Sequence, residues 1–161
     1  CQMLVWMLIS NGPKPARSLI VYLIDTNIIS EARKQARANA GVLAFFDEVA
    51  AADDAIYLST ITIGELRRGV ELIRNRGDLD QAVMLENWLI EILERFSHHI
   101  LAFDAETAQV WGRLRVPDPA HALDKQIAAI ALVNDLILVT RNVADFAGTG
   151  VRVKNPFVDE D

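Results

Sequence analysis

Two uninterrupted apolar runs constrain this chain more than any other feature: Leu19-Ile20-Val21-Tyr22-Leu23-Ile24 and Leu136-Ile137-Leu138-Val139-Thr140. Neither alternates apolar with polar residues, so a strand built from either must have both faces covered. The first run stops at Asp25-Thr26-Asn27, whose short polar side chains favour a turn. Ala55-Ile56-Tyr57-Leu58-Ser59 and His99-Ile100-Leu101-Ala102-Phe103 read as two further strands, and Val151-Arg152-Val153 as a short fifth. Helical patterns fill the intervals: Ile28 to Arg37, Gly41 to Ala52, Ile63 to Arg74, Leu79 to Phe96, Ala105 to Leu114 and Lys125 to Val133. Asn75-Arg76-Gly77 and Pro117-Asp118-Pro119 punctuate them. Strands alternating with helices predict an α/β fold, a three-layer sandwich with a mostly parallel sheet of about five strands flanked by helices.

Length and composition bound the rest. The 161 residues make about one domain, and 52% hydrophobic with 24% charged residues leaves ample apolar surface for a core. The one cysteine, Cys1, excludes internal disulfides and Cys-rich metal centres and fits a reducing, cytoplasmic setting. The apolar run Met3 to Ile9 is too short to span a bilayer, which takes about 20 residues, and no basic segment precedes it as in a signal peptide. Residues 1–18 are therefore expected to form an extension outside the domain, disordered or non-native, and residues 19–161 the domain itself; no membrane segment is expected. The net charge is −6, whereas proteins that hold a phosphate backbone unaided carry a positive excess. Work on nucleic acid would need a bound cation, a local basic patch or a partner.

In a parallel sheet with right-handed crossovers, all strands present their carboxyl ends at one edge, where ligand sites gather. Four acids fall there by the sequence reading. Asp25 ends the first strand, Glu65 opens the helix after the second, Asp124 opens the helix before the fourth, and Asp145 follows Thr140-Arg141-Asn142. Crowded carboxylates repel unless a cation compensates. Mg2+, a hard ion that takes oxygen ligands and keeps waters, is the natural one, and it makes attack of water on a phosphodiester feasible without a Ser, His or Cys nucleophile. Each acid also has a plainer reading. Asp25 holds its turn, Glu65 closes a capping box with Thr62, Asp124 complements a helix dipole, and Asp145 is a surface turn residue.

With these residues laid out, a resemblance emerges. Tyr22-Leu23-Ile24-Asp25-Thr26-Asn27-Ile28-Ile29-Ser30-Glu31 is similar to the opening motif of PIN-domain nucleases, specifically the VapC and FitB-like toxins of type II toxin–antitoxin systems. Leu58 through Gly69 resembles the second acidic motif, Asp124-Lys125-Gln126-Ile127-Ala128-Ala129-Ile130-Ala131 the third, and Leu138 through Phe146 the closing one. The resemblance implies a metal-dependent endoribonuclease, with Asp25, Glu65, Asp124 and Asp145 as catalytic metal ligands for Mg2+ or Mn2+. It leaves open whether Asn142 or Asp145 completes the set, with Thr140 beside the metal and Asn142 in support. It further implies a homodimer, neutralised by a VapB or FitA-like antitoxin in a heterotetramer or larger assembly, with DNA contacted only through the antitoxin.

Other polar residues carry less. Arg67, Arg68, Arg113, Arg115 and Arg141 are candidates for a basic rim, with Arg68 and Arg141 favoured for RNA contact, against a reading as solvated helix faces. His98 and His99 are adjacent and make no zinc pattern, and His121 reads as a solvated loop residue without a role. Trp88 and Trp111 sit at helical apolar positions suited to a core or a dimer seam, and the helices from Ile63 to Phe96 are the candidates for partner contacts. Two alternatives stand beside the nuclease reading: an inactive PIN-fold binding partner, and a receiver-type phosphoacceptor module using Asp25, Asp104, Thr140 and Lys154. Since residues 1–18 lie outside the strand–helix pattern, deleting them is expected to leave the melting temperature unchanged within about 2 °C. A larger fall in a calorimetric scan would place them inside the fold.

Overall fold

The structure, a computed structural model, describes residues 19–158. The expected extension therefore lies outside the described residues. Five parallel strands form the sheet: β1 (Val21–Ile24), β2 (Ala55–Ser59), β3 (Ile100–Leu101), β4 (Ile137–Val139) and β5 (Arg152–Lys154), in the spatial order β3-β2-β1-β4-β5. Six α-helices connect them: α1 (Thr26–Ala32), α2 (Ala40–Ala52), α3 (Thr60–Asn75), α4 (Leu79–Arg95), α5 (Ala105–Leu114) and α6 (Ala122–Val133). The three-layer α/β expectation holds, and every strand pair is parallel.

The strand period of two divides the core. Tyr22 and Ile24 of β1 face one side with Ile56, Leu58 and Val139, where α1 to α4 bring Ile28, Phe45, Phe46, Leu66, Val70, Leu89 and Ile92. Leu23 faces the other with Leu138, against Ile127, Ala128, Ile130 and Ala131 of α6 and Leu114 of α5. Leu23, Ile24 and Leu138 are fully buried, each worth about 2 kcal/mol of apolar burial. Apolar residues at consecutive positions are thus explained by a sheet covered twice.

Local boundaries differ from the sequence reading in instructive ways. The expected helix Ile28 to Arg37 is α1 followed by a separate 3-10 turn, Gln35–Arg37, entered through Gln35 at φ 55°. Helix α3 starts at Thr60, earlier than expected, because the Ser59 hydroxyl accepts from the Thr62 amide at 3.0 Å and caps it. Thr62 is buried inside the helix, so the Thr62–Glu65 capping box does not form and Glu65 lies in the second turn.

The end of the described chain is clamped to the start of α2. Asn39 caps that helix through Gly41 N at 3.0 Å, and the same side chain exchanges bonds with the Val158 carbonyl at 2.8 Å and amide at 3.1 Å. Gly41 is needed there: a Cβ on it would meet the Pro156 carbonyl oxygen at 2.0 Å. Gly41→Ala is expected to destabilise by about 2 kcal/mol, seen as a lower melting temperature, whereas Ala40→Gly next to it should cost under about 1 kcal/mol.

Candidate active site

Chain order turns back between β1 and β4, the pair whose connections run to opposite sides of the sheet. A crevice at the carboxyl ends of such a pair is where α/β folds hold ligands. Asp25 stands there. Its amide donates to the Val139 carbonyl at 3.0 Å, which makes it the last residue stitched to β4, and its side chain caps α1. One carboxylate oxygen accepts from Thr26 N at 2.7 Å; the other accepts from Asn27 Nδ2 at 2.9 Å and Thr140 Oγ1 at 2.7 Å. A carboxylate offers about four acceptor directions, so these bonds leave about one for a cation.

Thr140, buried at the end of β4, holds this arrangement. Its hydroxyl donates to Asp25 and accepts from Asn27 Nδ2 and Asn142 N, both at 3.1 Å. One proton and two lone pairs are then all engaged, so the hydroxyl orients Asp25 rather than facing a metal. Asn27 completes the lock by accepting the Arg141 amide at 3.1 Å. Sequence reasoning treated Asn27 only as a turn residue.

The remaining acids converge on Asp25 from separate elements. Thr26 Oγ1 donates to Glu65 Oε2, tying α1 to the second turn of α3. Asp124 lies in the first turn of α6, and Asp145 in the 3-10 turn Val143–Phe146 after β4. Burial pushes the Asp25 carboxyl up despite its bonds from Thr140, Thr26 and Asn27, and Asp145 pushes it further. Burial also raises Glu65, with Thr26 and Arg68 opposing and the charges of Asp25 and Asp124 adding. Asp124 is raised by burial, by Asp25 and by Asp145, and is pulled back by His121. Each of these carboxyls therefore feels others of the set. An oxygen-rich donor set whose members repel when charged is the chemistry that a hard divalent cation satisfies.

Other sequence candidates are placed as follows. The Asn142 side chain is exposed, and its backbone supports Thr140. Arg68 is exposed on α3 close enough to Glu65 to lower it, and exposed Arg141 carries its guanidinium 4.9 Å from the Phe157 ring centre. Arg67 is not free for a rim: it pairs with Glu86 at 2.6 Å and Glu71 at 3.5 Å, bridging α3 to α4. Trp111 packs edge-on against Phe103 and donates to the Ala122 carbonyl at 3.0 Å, a structural role. Asp104 caps α5 through Thr107 N at 2.9 Å, and Lys154 pairs with Glu48 at 3.3 Å. Neither serves the receiver-type arrangement.

His121, read from the sequence as a solvated loop residue without a role, also reaches this edge. It precedes α6 in a left-handed conformation, φ 53° and ψ 47°, with Nδ1 3.6 Å from Asp124 Oδ2 and 3.7 Å from Asp145 Oδ1. Its position three residues before Asp124, at the start of a helix, was the available signal.

Comparison with known proteins agrees with this geometry. The family profile described as PIN domain matches residues 22–149, and the chain belongs to the PIN-domain family. It is 36% identical over 142 residues to Toxin FitB of Neisseria gonorrhoeae, covering 85% of this chain and 99% of that one. Identity to Plasmid stability protein StbB of Pseudomonas syringae pv. tomato is 36% over 140 residues, with 84% and 97% covered. VapC ribonuclease Y4jK of Sinorhizobium fredii is 29% identical over 141 residues, with 84% and 96% covered. Among solved structures, FitAB bound to an IR36 DNA fragment superposes with a TM-score of 0.71 at 33% identity, covering 87% of this chain and 98% of that one. Among the described residues, no helix is long and apolar enough to cross a membrane.

The electrostatics generate a prediction. A carboxyl raised in the folded state holds its proton more tightly there than in the unfolded chain, so stability falls as pH climbs from the ordinary value through the raised one. At neutral pH and without divalent ions, charged Asp124 is therefore a cost, modest because solvent screens a half-exposed group. Asp124→Asn is expected to raise the melting temperature slightly in EDTA, whereas Mg2+ or Mn2+ should raise that of the unsubstituted protein more than the variant's.

Proposed function

We propose that this chain is a metal-dependent endoribonuclease of the VapC type, the toxin of a toxin–antitoxin pair, acting in the cytoplasm and carried by a domain spanning residues 19–161. The observation that carries the reading is the convergence of acids from β1, α3, α6 and the 3-10 turn on the β1/β4 crevice. The relatives named a toxin and a ribonuclease support it, as does a FitAB assembly solved on DNA.

In this reading Asp25, Glu65, Asp124 and Asp145 hold Mg2+ or Mn2+. When bound, such an ion would supply Lewis acidity for attack of water on a phosphodiester. Thr140, Asn27 and Thr26 act as positioning residues, fixing the oxygens of Asp25 and Glu65 before substrate arrives. Asp145 rather than Asn142 is the fourth ligand, because its charge reaches both Asp25 and Asp124. Exposed Arg68 and Arg141 meet RNA phosphates and offset the net negative charge. A homodimer and an antitoxin are the protein partners, the latter bringing DNA contact. Helix α4 exposes Leu79, Val83 and Ile90 at spacings that share one face, an apolar surface suited to such a partner.

Cleavage of a mixed RNA pool in Mg2+ or Mn2+ tests this directly. Asp25→Asn and Asp124→Asn are each expected to keep the fold and lower cleavage at least about 10³-fold, matching EDTA treatment. Undiminished cleavage by both variants would refute the site. A folded protein that binds divalent ions but cleaves nothing would leave the inactive-partner alternative in place.

A further inference from the structure

We infer that His121 is a nitrogen ligand of the metal centre, making the Asp124–Asp145 end of the acidic edge a mixed nitrogen–oxygen site for a borderline transition ion such as Co2+, Ni2+ or Zn2+. The inference rests on the metal-nuclease reading above and adds a donor and a metal preference to it.

The geometry carries the argument. His121 Nδ1 lies 3.6 Å from Asp124 Oδ2 and 3.7 Å from Asp145 Oδ1, and the three donor atoms all lie within 4.8 Å of one another. Both separations are too long for hydrogen bonds. Two donors on one ion with bonds of about 2.0–2.2 Å stand about 3.0–3.4 Å apart, so His121 Nδ1 needs to close on each carboxylate oxygen by only a few tenths of an ångström to share an ion with it. The loop that carries His121 is itself braced by hydrogen bonds. Buried Lys125 ties the preceding loop to α6, its ammonium donating to the Asp118 carbonyl at 2.5 Å and to Asp118 Oδ2 at 3.2 Å. Ala120 N donates to Asp118 Oδ1 at 2.9 Å, and Arg115 Nη2 to the Pro119 carbonyl at 3.1 Å. The loop delivers His121 in a left-handed conformation uncommon outside glycine, and such strain clusters at binding sites. The opposite end of the edge, Asp25 and Glu65, offers oxygen alone. Imidazole nitrogen suits Zn2+, Ni2+ and Co2+, whereas carboxylate and water suit Mg2+.

Titration calorimetry of EDTA-stripped full-length protein with CoCl2 and, separately, MgCl2 tests the inference without an activity readout. His121→Asn is the variant of choice, since asparagine tolerates the left-handed backbone but lacks the imidazole; Arg113→Ala on α5 is the control. His121→Asn is expected to weaken Co2+ binding about 10- to 100-fold and to change Mg2+ binding less than about 2-fold. Equal weakening of both ions, or no change in either, would overturn the assignment while leaving the nuclease reading intact. If the unsubstituted protein bound neither ion, the metal centre itself would fall, and this inference with it.

Discussion

A single buried carboxylate organises the centre of this molecule. Asp25 joins the end of β1 to β4 through its amide, starts α1 through one oxygen and receives Thr140 and Asn27 on the other. Burying a charge is costly unless it is bonded or compensated. The protein meets part of that cost with hydrogen bonds from Thr26, Asn27 and Thr140. Ordinary folding pressure would favour replacing such a group, so its place at the centre of the sheet marks it as a candidate functional residue. Glu65, Asp124 and Asp145 join it from half-buried positions.

The division of labour around that carboxylate separates groups that hold from groups that act. Thr140 spends its proton and both lone pairs on protein partners and so contributes rigidity. Asn27 links the two central strand ends across 113 residues of sequence. Arg67 and Arg74 are consumed by Glu71 and Glu86, which fixes α3 against α4 and thereby the height at which Glu65 enters the site. Arg67 and Arg74 are thereby committed to the fold rather than to a basic rim beside the acids.

Much of this was legible beforehand because the strongest signals are periodic. The runs ending at Ile24 and Val139 lack alternation since both sheet faces are covered, and the acidic motifs follow from strand ends in a parallel sheet. Boundaries were harder. Glu65 looked like a capping residue because Thr62 three positions earlier fits the pattern, yet Ser59, one turn before, captured the cap and buried Thr62. The proximity of His121 to Asp145 was illegible for a different reason: 24 residues and a strand separate them, and only the turn-back between β1 and β4 brings α6 beside the 3-10 turn. Roles such as that of Thr140, set by a count of lone pairs, exist only once three dimensions are known.

The pairing order has a consequence for how the protein comes into being. β1 leaves a ribosome well before its central neighbour β4, and the hydroxyl that completes Asp25 lies 115 positions after it. The cap of α2 waits longer still, for Val158 near the end of the chain. A nascent fragment that gathers β1, β2, α1 and α3 already joins Asp25 and Glu65 through Thr26, while Asp124 and Asp145 arrive later. The acidic edge is therefore complete only when the segment from α6 to the 3-10 turn Val143–Phe146 has packed beside the earlier elements.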